Sequence, residues 1–151
     1  MENIIDYTGK LNNNEDYLKI LEKLEIKTKY IEVVITFGNK SSELVEKFKG
    51  NIIENRKVKE WWGTLTTKSN NLYKIKATPE LFDYLRQFET FCKYYVYGSN
   101  AKTLSYGDYS ETTDFGYDDI AFYDKNNKFL LGTTTHEGYI LIDRNLAKEI
   151  L

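Results

Sequence analysis

The chain has 151 residues, 41% of them hydrophobic and 29% charged, with a formal net charge of −2. That length suits one domain with its own core, and the composition excludes an intrinsically disordered chain. A single cysteine, Cys92, excludes an internal disulfide framework, and no run approaches the roughly 18 apolar residues of a membrane-spanning helix.

The opening MENIIDYTGK has neither the basic region nor the apolar stretch of a secretory leader, so a reducing, cytoplasmic setting is expected, with no membrane partner. Next, NNNEDYLKILEKLEI starts with cap-forming Asn and acidic residues. It then places Tyr17, Leu21 and Leu24 on one stripe, with Leu18 and Ile20 beside it, which predicts an amphipathic helix. KYIEVVITFG switches to period two: Ile31, Val33, Ile35 and Phe37 share one face, Tyr30, Glu32, Val34 and Thr36 the other. SSELVEKFKG reads as a short helix, with serine at the N-cap and Gly50 where a left-handed residue ends it.

RKVKEWWGTL and NLYKIKA alternate as two strands of a hairpin, joined by the polar loop TTKSNN. TPELFDYLRQFETFC predicts a helix with Pro79 in its first turn and Leu81, Leu85, Phe88 and Cys92 along one face, followed by a strand at KYYVYG. DIAFYD, KFLLGT and YILID, linked by KNN and THEG, predict three short-linked antiparallel strands.

Residues 29–97 thus run strand, helix, strand, strand, helix, strand, the order of a ferredoxin-like split βαβ. The expected architecture is a single α+β domain over residues 1–151. It comprises a ferredoxin-like or other mixed sheet with helices on one face, followed by a C-terminal three-stranded antiparallel meander. No repeat or proline-rich linker divides it.

The one histidine, His136, lies in GTTTHEGYI at the turn between the last two predicted strands. Catalysis would require an orienting acid or a nucleophile beside it, and zinc about three further ligands. No second histidine exists, no HExxH occurs, and the glycine spacing fails the phosphate-loop pattern, so the turn reading is preferred. Cys92 ends an apolar pattern and reads as a small buried hydrophobe. With no acid, base and nucleophile set, no enzymatic activity, metal or cofactor is expected.

Lys57, Lys59, Lys74 and Lys76 fall near Trp61, Trp62 and Tyr73 on the hairpin, a pairing of charge and rings that could suit nucleic acid. The absence of an RNA-recognition motif and the acidic net charge argue against that partner. Lysines on a solvated strand face are the plainer reading, and a nucleic-acid or nucleotide-binding module stands as the alternative.

Charge is unevenly spread. Residues 1–102 carry 17 Lys+Arg against 14 Asp+Glu, and 103–151 carry 4 against 9. Between Thr103 and Asp124 there is no basic residue, while Asp108, Glu111, Asp114, Asp118, Asp119 and Asp124 all fall there, interleaved with Tyr106, Tyr109, Phe115, Tyr117 and Tyr123. DYSETTDFGYDD does not match a calcium loop. Acidic groups beside large rings are what an interface uses against a basic partner. The other reading is a solvated loop whose aromatics are buried.

Single-domain size, an α+β pattern, a Lys/Asn/Ile-rich composition, no catalytic set and the acidic aromatic segment 106–124 together resemble, in general character, the cytoplasmic immunity proteins of bacterial toxin systems. These include the immunity proteins paired with contact-dependent inhibition toxins. The resemblance implies a non-enzymatic protein that neutralises a cognate basic toxin of nuclease type. On that expectation Asp108, Glu111, Asp114, Asp118 and Asp119 supply charge, and Tyr109, Phe115 and Tyr117 anchor the partner.

Overall fold

The computed structural model describes residues 3–8, 10–11, 13–35, 42–61, 64–88, 91, 94–96, 109–111, 118–134 and 139–150. At 60–61, 64–69, 94–96, 109–111 and 118 the description extends to the backbone alone. A short strand, β1 (Ile4–Asp6), precedes helix α1 (Asn14–Lys27). The Asn13 side chain caps that helix by accepting the Asp16 N–H at 2.8 Å, and Glu15 and Asp16 complement the positive helix end. The sequence stripe is the buried face: Tyr17, Ile20, Leu21 and Leu24 are 0% exposed. Leu18, one residue off it, is 37% exposed.

Strand β2 (Thr28–Ile35) is central, flanked by strands on both sides. Its alternation does not separate core from solvent, because both faces are covered at this strand: Val34 on the second face is nearly as buried as Ile31 and Val33 on the first. Helix α2 (Glu43–Lys47) is capped by Ser42 Oγ, which accepts the Val45 N–H at 3.2 Å. Its ending departs from expectation. The chain tightens into a 3-10 turn at Lys49–Asn51 with Gly50 inside it, so the glycine is not a left-handed terminator.

Strands β3 (Ile52–Trp61) and β4 (Thr64–Lys76) form the predicted hairpin, but the TTKSNN segment belongs to β4 instead of linking the strands. Trp61 pairs with Thr64, so the reversal comes before Thr64. The threonines are compatible with a strand, and the register shift between Val58 and Glu60 absorbs the surplus length of β4.

Helix α3 (Pro79–Leu85) starts with Thr78 as cap and Pro79 in the first turn. It stops before the predicted end. The Gln87 and Phe88 N–H groups bond to the carbonyls of Tyr84 and Leu85, the tighter i to i+3 pattern that closes a helix. Phe91 is still 0% exposed. The apolar spacing beyond Leu85 thus reports contact with the core and not continued helix.

The remaining elements are β5 (Tyr94–Val96), β6 (Tyr109–Glu111), β7 (Asp118–Asp124), β8 (Phe129–Thr134), β9 (Tyr139–Asp143) and α4 (Arg144–Glu149). Among the described residues one antiparallel sheet has the order β1-β9-β8-β7-β2-β4-β3, and a separate ladder pairs β5 with β6. The expected fourth strand of the 29–97 unit, β5, is therefore not in the large sheet. The place beside β2 belongs to β7, which pairs with it from Thr28↔Asp124 to Ile35↔Asp118.

Residues of all four helices share one core cluster with one face of the sheet, including Ile31 and Val33 of β2, Ile75 of β4, Phe122 of β7, Leu131 of β8 and Ile142 of β9. Fully burying a side chain of that size contributes about 1.5–3 kcal/mol. Tyr17 ties α1 to α3: its hydroxyl donates to the Leu85 carbonyl at 2.5 Å, and its ring meets Phe91 edge-on at 4.8 Å. Arg86, at the end of α3, bridges Glu25 of α1 and Asp83. Among the described residues no helix is long and apolar enough to cross a membrane.

Candidate functional site

The seven-stranded sheet has two ends of different character. At one end Ile35 of β2 lies beside Asn71 of β4 and Asp118 of β7, while Thr134 of β8 pairs with Tyr139 of β9. The chain leaves β2, approaches β7 and passes from β8 to β9 here. This end therefore gathers the described flanks of both stretches that looked functional in sequence: Asp118, closing the acidic segment, and Thr134 with Tyr139, on either side of His136. His136 itself lies outside the described residues, as do Cys92 and Trp62.

Of the eight residues expected to bind a partner, Asp108, Asp114, Phe115 and Tyr117 lie outside the described residues. Tyr109 and Glu111 open and close β6, opposite Val96 and Tyr94 of β5. Asp118 begins β7, and Asp119 follows it inside the same strand.

Asp119 corrects the sequence expectation. It pairs with Val34 between two inner strands of the sheet, one residue in from Asp118, and is 1% exposed, so it offers no accessible charge to a partner. The sequence places Asp118 and Asp119 just ahead of an apolar strand. In the fold β7 begins at Asp118, and alternation from Ile120, which faces the core cluster, places Asp119 on the opposite face of the sheet beside Val34, which is buried as well.

Asp124, the last carboxylate of the acidic run, is also removed from any common patch. It ends β7, six residues beyond Asp118, and at about 3.3 Å per residue the two stand roughly 20 Å apart. Its Oδ1 accepts the N–H groups of Asn126 at 2.8 Å and Lys128 at 3.0 Å, which fixes the β7–β8 turn. Asn127 adopts a φ of 62° in that turn, a left-handed conformation that asparagine tolerates.

Part of the tyrosine content is structural. Tyr30 and Tyr123 stack with centroids 5.1 Å apart and planes 9° from parallel, and Tyr123 meets Phe129 edge-on at 6.0 Å. The Tyr30 hydroxyl donates to Asn127 Oδ1 at 3.1 Å. Burial, with the Glu32 carboxylate next in importance, pushes the Tyr30 phenol above its ordinary range.

The basic hairpin does not present one cationic face. Lys57 pairs with Asn71 and shares the face of Tyr73, whereas Lys74 and Lys76 lie on the opposite face with Glu32 and Tyr30. Lys74 Nζ sits 4.1 Å from the Tyr30 ring centroid, and Arg56 pairs with Glu32 and Glu54. Lys74 and Arg56 are thus engaged within the protein.

Among the described residues no group of three or more His, Cys, Asp or Glu side chains is arranged to hold a metal ion. At the other end of the sheet the structure adds a feature absent from the sequence reading, a cleft between α1, the β7–β8 turn and α4. Its lysines come from KTK at 27–29 and DKNNK at 124–128, local clusters visible in sequence but joined only by the fold. No protein-family model, no curated protein and no solved structure matches this chain.

Proposed function

We propose that the protein is a non-enzymatic binding protein that neutralises a cognate basic toxin, of nuclease type, through its acidic aromatic segment. The observation that carries this reading is the run from Thr103 to Asp124, which has no lysine or arginine and interleaves carboxylates with large rings. Excess negative charge on one segment raises the encounter rate with a basic partner and disfavours acidic ones, while tyrosine and phenylalanine supply contact area at low entropic cost. Phosphate-mimicking carboxylates are a direct way to occupy a nuclease's basic surface.

The surface proposed is Asp108, Glu111, Asp114 and Asp118 for charge, with Tyr109, Phe115 and Tyr117 as anchors. Asp119 is left out because it is buried. The proposed setting is the cytoplasm, with no cofactor.

The test is capture of the tagged protein from its own host, identification of what remains bound, and assay of that partner's activity with and without the protein. A stoichiometric complex with a basic protein whose toxic activity is abolished is the expected result. Retention of nucleic acid alone, or of nothing, would contradict the proposal.

A further inference from the structure

The cleft at the second end of the sheet has a volume of about 590 Å³, within the range of small-molecule sites. Two irregularities in the sheet shape it. Pairing of β2 with β7 passes from Thr28↔Asp124 to Tyr30↔Tyr123, which leaves Lys29 as an extra residue. Pairing of β7 with β8 passes from Phe122↔Leu131 to Tyr123↔Phe129, which leaves Leu130 as another. Both bulged residues line the cleft. Bulges bend a strand and re-aim a side chain, and they concentrate beside functional sites.

The charges in the walls do not cancel once internal pairings are assigned. Asp124 accepts the turn N–H groups described above. Asp143 Oδ2 accepts the Leu146 N–H at 3.1 Å and caps α4, while its Oδ1 lies 3.5 Å from Lys128 Nζ. Glu149 lies 3.2 Å from Lys27, whose charge in the last turn of α1 also offsets the partial negative charge of that helix end. Asp143 and Glu149 are thus paired with lysines, whereas Asp124 keeps its charge, so the cleft's four lysines face three carboxylates and leave a positive excess. Lys29 and Lys125 are exposed and form no ion pair with any described residue.

We infer that this cleft binds a small phosphate-bearing molecule, with Lys29 and Lys125 neutralising the phosphate and Ile26 contacting its apolar part. Lysine binds phosphate as a mobile point charge, and the cations lining this cleft are all lysines. Leu130 and Leu146, 4% and 1% exposed, belong to the core beneath the cleft, and Ile26, 77% exposed, is its accessible apolar side chain. Thr28, which also lines the cleft, has a buried hydroxyl with no hydrogen-bond partner. This inference is independent of the proposed toxin partner.

The test is a titration of the whole protein with phenyl phosphate and with inorganic phosphate, followed by amide and methyl NMR, with sodium chloride at matched ionic strength as reference. Saturable shifts centred on Lys29, Lys125 and the Ile26 methyls are expected, with tighter binding of phenyl phosphate than of inorganic phosphate. The double variant Lys29→Gln/Lys125→Gln should lose at least tenfold in affinity, while Lys57→Gln, exposed on β3 away from the cleft, should bind unchanged. Binding of inorganic phosphate as tight as phenyl phosphate would remove the apolar contact from the site. Non-saturable shifts, shifts reproduced by chloride, or an unaffected double variant would overturn the inference.

Discussion

Tyr17 shows how one side chain can hold two elements. Its ring is fully buried, and its hydroxyl donates to the Leu85 carbonyl, which also accepts the Phe88 N–H, so α1 is tied to the end of α3. Tyr17→Phe keeps the ring and removes that bond, so it should cost about 1 kcal/mol in urea unfolding. Tyr17→Ala also leaves a cavity and should cost about 3–5 kcal/mol. Asp6 provides a local pH probe. Hydrogen bonds from the Thr8 side chain and backbone hold its carboxyl below the ordinary value of 3.8. Because the folded value is depressed, this contribution to stability is present above the ordinary range and is lost as pH falls through the folded value. An NMR titration should give a midpoint under 3.8 that rises in Thr8→Val and stays low in Thr8→Ser. An unchanged midpoint in Thr8→Val would show that the side chain is not the cause. Legibility at this scale was uneven. The buried stripe of α1 follows from spacing alone, whereas the burial of Asp119 depends on where β7 begins and on its pairing with Val34.

Elements were most legible where a chemical start signal accompanies an apolar pattern. Asn13, Ser42 and Thr78 each accept a backbone N–H from the first turn of a helix, as their residue types suggest. Helix ends and short edges were less legible. Gly50 suggested a left-handed stop, yet it lies in a 3-10 turn, and a Cβ added there would meet nothing within 4 Å. Gly50→Ala should therefore stabilise the protein by about 0.4–1 kcal/mol through the unfolded state, and a loss of stability of that size would contradict the conformation described. Strand β1 and helix α4 passed unnoticed because three and six residues are too few to establish a period. What secures them is tertiary: β1 pairs with β9, and Asp143 caps α4. The bulges at Lys29 and Leu130 have no sequence signature, since they exist only as mismatched registers between strands.

At the scale of the molecule, the alternation of strands and helices correctly indicated an α+β chain but not which strands would meet. The local order over residues 29–97 points to a sheet closed by the strand at 94–96. In the fold β7 lies beside β2, and β5 pairs with β6. The choice depends on contacts between residues far apart in sequence, to which local periodicity is blind. The same long-range pairing divides the acidic segment, with Asp118 at one end of the sheet, Asp119 within it and Asp124 at the other. If the segment recognises a basic partner, the effective charge is carried by Asp108, Glu111, Asp114 and Asp118 and not by the whole run. Association should then be fast at low salt and slow steeply as ionic strength rises, because exposed charges are screened over about 10 Å at 0.1 M. The measurement that tests this most directly is the association rate with the captured partner across a salt series, for the natural protein and for Asp114→Lys/Asp118→Lys. The account predicts that the double variant associates at least tenfold more slowly at low salt, with a flattened salt dependence and unchanged thermal unfolding. Equal rates and equal salt slopes for the two proteins would contradict it.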